Sequence, residues 1–201
     1  DRAWELSPHE IETIREAGRL NPNTVVVINA GGGVETESWL ESVSGLIHSF
    51  YLGQSAGTAV AEVLFGDVNP SGKLPFTMAR SWTDFSTTAP GRYVPRRKLR
   101  QISIPRPPLF GIELLRSMWD VEYAEGVFVG YRHFDAAAIE PQFPFGFGLS
   151  YTSFEIGNGS VTAELPGGSD RVMVKAEVTV TNTGERAGSE TVQLYIGPPR
   201  E

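Results

Sequence analysis

The chain has 201 residues, 40% of them hydrophobic and four of them tryptophan, which is enough apolar material for a folded core rather than a disordered chain. Its formal net charge of -7 argues against nucleic-acid binding, and with no cysteine it has neither a disulfide nor a thiolate metal site. No apolar run approaches the roughly 20 residues of a membrane span. The polar opening Asp1-Arg2-Ala3-Trp4 is not a secretory leader, which leaves the compartment open, a secreted or periplasmic parent included. With three His and no Cys, no dedicated metal cluster is expected, and nothing calls for a cofactor.

The first third alternates helix and strand. Ser7-Pro8-His9-Glu10 is a helix start, with Ser7 as cap, Pro8 at the first helical position and Glu10 completing a capping box. Ile11 and Ile14 begin an apolar stripe, and Gly18 and Pro22 are expected to end the helix. Val25–Ile28 is a continuous β-branched run, as in a buried parallel strand, followed by the turn Ala30–Gly33. Trp39–Val43 reads as a short helix and Leu46–Tyr51 as a second strand. Ser55–Phe65 reads as a helix with Ala59, Val60, Val63 and Leu64 inward, and Leu74–Met78 as a third strand. Short helices between strands predict an α/β layer with a mostly parallel sheet.

Arg92–Arg116 holds seven basic residues against the single acid Glu113, together with Pro95, Pro105, Pro107 and Pro108. It shows no helical or strand periodicity and reads as a long, solvated surface loop. At the end, Val172, Val174, Ala176, Val178 and Val180 alternate with polar or longer side chains, and Val192, Leu194 and Ile196 alternate again. These read as two antiparallel strands of a β-sandwich, with turn residues at Asn182-Thr183-Gly184 and Gly188. A sandwich needs about seven strands, so this one is expected to be cut short at Glu201.

Several long motifs occur in order along the chain: Val25–Asn29 with Gly31–Val34, then Tyr51–Gly57, LFGDVNPSGKLP at Leu64–Pro75, EGVFVGYRHFD at Glu125–Asp135, PQFPFGFGLSYTSF at Pro141–Phe154, and Val178–Tyr195. Together they resemble the C-terminal half of glycoside hydrolase family 3, the β-glucosidases, β-xylosidases and related exo-acting enzymes, over about four fifths of the chain. The departures are Leu52, Ser55, Ala56 and the basic segment. The resemblance implies residues 1–90 as the second half of an α/β sandwich domain, 91–154 as a basic loop and bridging segment, and 155–201 as the start of a fibronectin type III-like, immunoglobulin-like all-β sandwich.

For function, the resemblance implies a parent enzyme that removes a terminal β-linked sugar from oligosaccharides or glycosides with retention, using two carboxyl groups about 5–5.5 Å apart. In the family the nucleophile sits on an N-terminal barrel, which is not in this chain and which would grip the substrate. The general acid/base sits in a loop whose tail Asp1–Pro8 resembles. Asp1 and Arg2 are therefore the implied substrate-binding residues, and neither catalytic carboxylate is expected here. Glu5, Glu35 and Glu125 read as surface, loop or interdomain carboxylates. Phe143, Phe145, Phe147, Tyr151 and Phe154 read as packing rather than sugar-binding rings. Gly146 and Gly148 read as sites of tight or positive-φ backbone, and Asp67 and Asn69 as the residues fixing the turn before Pro70. Tyr131 and Arg132 are expected to pair across the junction between the α/β layer and the sandwich, and Asn158-Gly159-Ser160 is a glycosylation sequon.

Two rival readings remain. Gly53-Gln54-Ser55-Ala56-Gly57 matches the G-x-S-x-G nucleophile elbow of a serine esterase, with Asp84 or Asp120 and His133 completing a triad and Asn29–Gly33 resembling an oxyanion loop. Alternatively, the chain is a non-catalytic carbohydrate-binding or interaction module, although no aromatic platform is evident along the sequence. The run Gly31–Thr36 fails as a dinucleotide fingerprint because Thr36 stands where the third glycine belongs.

Overall fold

A computed structural model describes residues 4–88, 96–104, 112–120, 123–164 and 171–197, the second and third of these ranges by their backbone alone. Helix α1, Pro8–Leu20, starts as its sequence dictates. The Ser7 hydroxyl accepts from the Glu10 amide, the Glu10 carboxylate accepts from the Ser7 amide, and Pro8 occupies the first turn, where no amide partner is needed. Gly18 does not end the helix, which runs on to Leu20 with Asn21 as C-cap. Its lack of a side chain serves packing instead, since a β-carbon there would overlap the backbone carbonyl of Ser42.

Strand β1, Val25–Ile28, neighbours β2, Gly45–His48. The Ser44 amide donates to Thr24 O at 2.9 Å and the Ser49 amide to Ile28 O at 2.8 Å. Partner numbers rise together, so the pair is parallel. Only Ile28 of β1 is buried, while Val25 and Val27 are 38% and 40% exposed, so the burial expected on both faces of a parallel strand is absent. Helix α2, Ala56–Phe65, ends on Gly66 in the left-handed conformation (φ 81°), a common glycine C-cap. Val60 and Val63 are half-buried as expected, but Ala59 and Leu64 are exposed.

Three strand assignments change. Leu74–Met78 is not a strand; Met78 makes a single antiparallel bridge to Phe143. The basic segment is not a loop throughout, because β3, Arg96–Ile104, and β4, Ile112–Asp120, pair antiparallel with Ile104 opposite Ile112 and Ile102 opposite Leu114. Arg92, Pro95, Pro105, Arg106, Pro107 and Pro108 lie outside the described residues. Finally, β6, Met173–Asn182, pairs not with Val192–Ile196, which is not a strand, but with β5, Phe154–Glu164. The β5 register shifts between Gly157 and Ser160, where Asn158 takes φ 52°. This bulge breaks the period-two pattern that would have revealed the strand. It also holds the Asn158-Gly159-Ser160 sequon.

The chain divides into two compact units. The first comprises residues up to Val26, Gly32–Leu46 and Phe76–Pro144, and includes helix α3, Tyr131–Ala137. Its core is Trp39, Met78, Ala79 and Phe134 with the buried Thr36, and the Trp39 indole donates to Glu35 O at 2.9 Å. The second comprises Val27–Gly31, Ile47–Pro75 and Phe145–Glu201. In it the buried Ser49 hydroxyl donates to Ile28 O at 3.0 Å. Among the described residues no helix is long and apolar enough to cross a membrane.

Candidate functional site

In the second unit, three of the motifs meet at Asn69. Its Oδ1 accepts from the Tyr151 amide at 2.7 Å and from the Ser150 hydroxyl at 3.0 Å, and its Nδ2 donates to Ala187 O at 3.0 Å. One amide thus ties LFGDVNPSGKLP to GLSYT and to the segment after β6. Asp67, paired with Asn69 in the sequence reading, is exposed and makes no such tie.

Around Asn69 the bracing continues. The Tyr151 hydroxyl donates to Val63 O at 2.7 Å, closing the end of α2, and the Arg186 guanidinium donates to Gly66 O at 3.3 Å while lying 5.8 Å from the Tyr151 ring centroid. The Leu74 amide donates to Phe147 O and the Gly146 amide to Leu74 O, both at 2.8 Å. Both glycine expectations hold: Gly146 has φ 80°, and a β-carbon on Gly148 would overlap the Gly72 carbonyl. The Asn182 carboxamide builds the Asn-Thr-Gly turn, accepting from the Gly184 amide and the Thr152 hydroxyl and donating to Arg186 O.

Lys73 and Glu190 form an ion pair at 2.8 Å, each side chain 16% exposed, and the Lys73 ammonium also donates to Gly148 O at 2.7 Å. The Lys73 hydrogen bond, followed by the Thr191 amide, holds the Glu190 carboxyl below the usual carboxylate range. A carboxyl whose folded pKa is lowered contributes stability that is complete above its unfolded pKa, about 4.3, and that is lost as pH falls through the folded value. Glu190→Gln is therefore expected to destabilise the chain by about 1–2 kcal/mol at pH 7 and to have little effect near pH 2, as urea midpoints at the two pH values would show.

The candidate carboxylates of the first unit differ in burial and in partners. Asp1 and Arg2 lie outside the described residues. Glu5 is exposed. Glu35 is buried, and its two oxygens accept from the Ser38 amide and hydroxyl at 2.6 and 2.7 Å, so it closes a turn. Glu125 is not on the surface: it is 8% exposed, and its Oε2 has no hydrogen-bond partner among the described residues. The Arg132 guanidinium lies 5.7 Å from the ring centroid of its chain neighbour Tyr131.

The esterase geometry fails residue by residue. Ser55 ends the 3-10 turn Gly53–Ser55 that leads into α2 (φ -93°, ψ 19°), whereas a nucleophile elbow joins a strand directly to its helix; the positive-φ positions nearby are Phe50 (φ 53°) and Gly53 (φ 71°). His133 Nε2 meets the backbone carbonyl of Asp84 at 3.0 Å rather than its carboxylate, which accepts from the Ser81 amide in a capping box. Asp120 lies on β4 opposite Arg96. Among the described residues no three His, Asp or Glu side chains group as a metal site.

Sequence reading missed an aromatic cluster in the first unit. Trp4 and Trp82 lie tilted 5.9 Å apart between ring centroids, and each meets the Phe85 ring edge-on, at 5.9 and 5.7 Å. Phe85 in turn packs edge-on against the buried Phe134. Trp4 and Trp82 are far apart in sequence, so no local pattern could have paired them.

These features define small α/β and antiparallel β elements whose motif residues brace one another through side chain-to-backbone bonds. Residues 1–151 match the family described as "Glycosyl hydrolase family 3 C-terminal domain", and the chain belongs to glycoside hydrolase family 3. It is 44% identical over 196 residues to a β-glucosidase of Rhizobium radiobacter, covering 96% of this chain, and 38% identical to a probable β-glucosidase I of Aspergillus flavus, covering 97%. It spans 21% of the length of each. Among solved structures it resembles β-glucosidase 3B of Thermotoga neapolitana (TM-score 0.71, 31% identity) and DesR, a β-glucosidase of Streptomyces venezuelae in complex with D-glucose (TM-score 0.72, 34% identity). Each match covers 92% of this chain, and 23% and 20% of those chains respectively.

Proposed function

We propose that this chain is the C-terminal scaffold part of a retaining β-glycosidase that releases terminal β-linked glucose, or a related sugar, from oligosaccharides or glycosides. The observation that carries the reading is the 44% identity to a β-glucosidase along 96% of the chain, over motifs that here brace one another rather than present a nucleophile. Residues 1–90 would belong to the α/β sandwich domain, 91–154 to a bridging segment and 155–201 to a fibronectin type III-like module. Catalysis by two carboxyl groups about 5–5.5 Å apart would use residues outside these 201, and Asp1 and Arg2 would border the substrate. The chain by itself would then hydrolyse no glycoside.

The test is a chimera in which this chain replaces the matched segment of the Rhizobium radiobacter β-glucosidase. It should hydrolyse a nitrophenyl β-glucoside, and proton NMR should show the β-anomer released first, while the 201-residue chain alone does neither. A folded but inactive chimera, or release of the α-anomer, would count against the reading.

A further inference from the structure

We propose that Asn158 is a self-modifying site, at which the chain converts its own asparagine to aspartate and isoaspartate and thereby loosens the β5–β6 hairpin. The inference is independent of the sugar chemistry above. Asn158-Gly159 is the one Asn-Gly pair among the six asparagines of the chain. The fold sets it in the bulge of β5: Gly157 faces Thr179 and Ser160 faces Glu177, so that Asn158 and Gly159 together stand against Val178 without a register partner of their own. Asn158 is exposed and takes φ 52°, a left-handed backbone that strains a residue with a side chain. No ladder holds the two residues to one conformation, and the glycine that follows leaves its amide nitrogen open to approach.

Each of the other asparagines lacks a requirement. Asn21 and Asn69 precede proline, whose nitrogen carries no proton to give up. Asn23 and Asn29 precede Thr24 and Ala30, whose side chains crowd the attacking nitrogen, and the Thr24 amide already donates to Asn21 O at 3.2 Å. Asn182 precedes Thr183, whose amide donates to Ser153 O at 2.8 Å. Its carboxamide is fixed as well, accepting from the Gly184 amide and the Thr152 hydroxyl and donating to Arg186 O.

The reaction consumes only water. The Gly159 amide nitrogen gives up its proton and attacks Asn158 Cγ; the Cγ–Nδ2 bond breaks, ammonia leaves, and a five-membered succinimide closes. Water then opens the ring. Cleavage between the nitrogen and Cγ leaves aspartate, and cleavage between the nitrogen and the backbone carbonyl carbon leaves isoaspartate. Isoaspartate routes the main chain through one additional carbon, which throws Ser160–Glu164 out of step with Glu177–Met173. Either product adds one negative charge to the formal net charge of -7.

The test holds the 201-residue chain at about pH 8 and 37 °C, in buffer and in about 8 M urea, and follows a gain of about 1 Da peptide by peptide. In buffer Asn158 should convert first among the asparagines, at a rate within about tenfold of its rate in urea, because the bulge does not protect it. Thr183→Gly supplies a second Asn-Gly pair whose carboxamide is held by the fold. In urea the two sites should convert alike, whereas in buffer Asn158 should lead Asn182 by about tenfold or more. Gly159→Ala, whose added methyl meets only Val178 Cγ1 at an ordinary 3.7 Å, should keep the hairpin and slow the conversion of Asn158. Hydrogen exchange of the β6 amides should show protection in the fresh chain and less of it after conversion. Slowing of Asn158 by more than about tenfold on folding, or equal rates at the two sites in buffer, would overturn the proposal. So would β6 protection that is missing from the start or unchanged by conversion. The comparison of buffer with urea stands even if Thr183→Gly does not fold.

Discussion

Gly148→Ala is expected to lower the stability of the chain by about 3–5 kcal/mol, measured as a shift in urea midpoint at unchanged slope. The added methyl would run into the carbonyl of Gly72, which is backbone and cannot swing aside as a long side chain would. To admit it, the Gly146–Gly148 segment must move from Leu74. That move breaks the reciprocal bonds between Leu74 and the Phe147–Gly146 segment and lengthens the Lys73 bond to Gly148 O. Each neutral bond contributes about 0.5–1.5 kcal/mol, and overpacking adds about 1–3. Gly57 supplies the contrast: it lies in the first turn of α2 with open space around the position of a β-carbon. Gly57→Ala should stabilise by about 0.5–1 kcal/mol through helix propensity alone.

Asn69→Ala should cost about 2–3 kcal/mol. It removes one donor and one acceptor serving three partners, and it strands the Tyr151 amide and the Ala187 carbonyl unless water reaches both. Asn69→Asp keeps the acceptor but sets a carboxylate against Ala187 O, so it should recover only part of the loss. Asp67→Asn, two residues away at an exposed position, should be nearly neutral, within about 0.5 kcal/mol. Thermal or urea unfolding of the three variants side by side checks the ranking.

What could be read from the sequence was what local physics encodes. The capping box of Ser7 and Glu10 and the apolar run Val25–Ile28 each carry their signal within a few residues. What was not legible depended on a distant partner. Leu74–Met78 has a strand's composition but finds only the Phe143 bridge, because strand propensity counts for little without a ladder. In the basic segment, Arg100 falls opposite Arg116 in register and interrupts the apolar alternation that Ile102 and Ile104 begin, which hides β3 and β4. Strand β5 was masked by its own bulge at Asn158.

The site divides along the same line. Motif order alone pointed to the family, and the roles of Gly146 and Gly148 followed from residue type. The reach of Asn69 across two other motifs, the burial of Glu125 and the Trp4–Trp82 contact are products of the tertiary fold and left no local trace.

On the proposed reading, these 201 residues would frame a glycosidase without supplying its acid or base. Its most direct test is the kcat of the chimera on a nitrophenyl β-glucoside, measured with Glu5→Gln, Glu35→Gln and Glu125→Gln in turn, each checked for a native melting profile. All three should stay within about tenfold of the unsubstituted chimera. A fall of about 10²–10⁴ in any one folded variant, with its pH profile losing a limb, would make that residue the general acid/base and overturn the proposed function as stated.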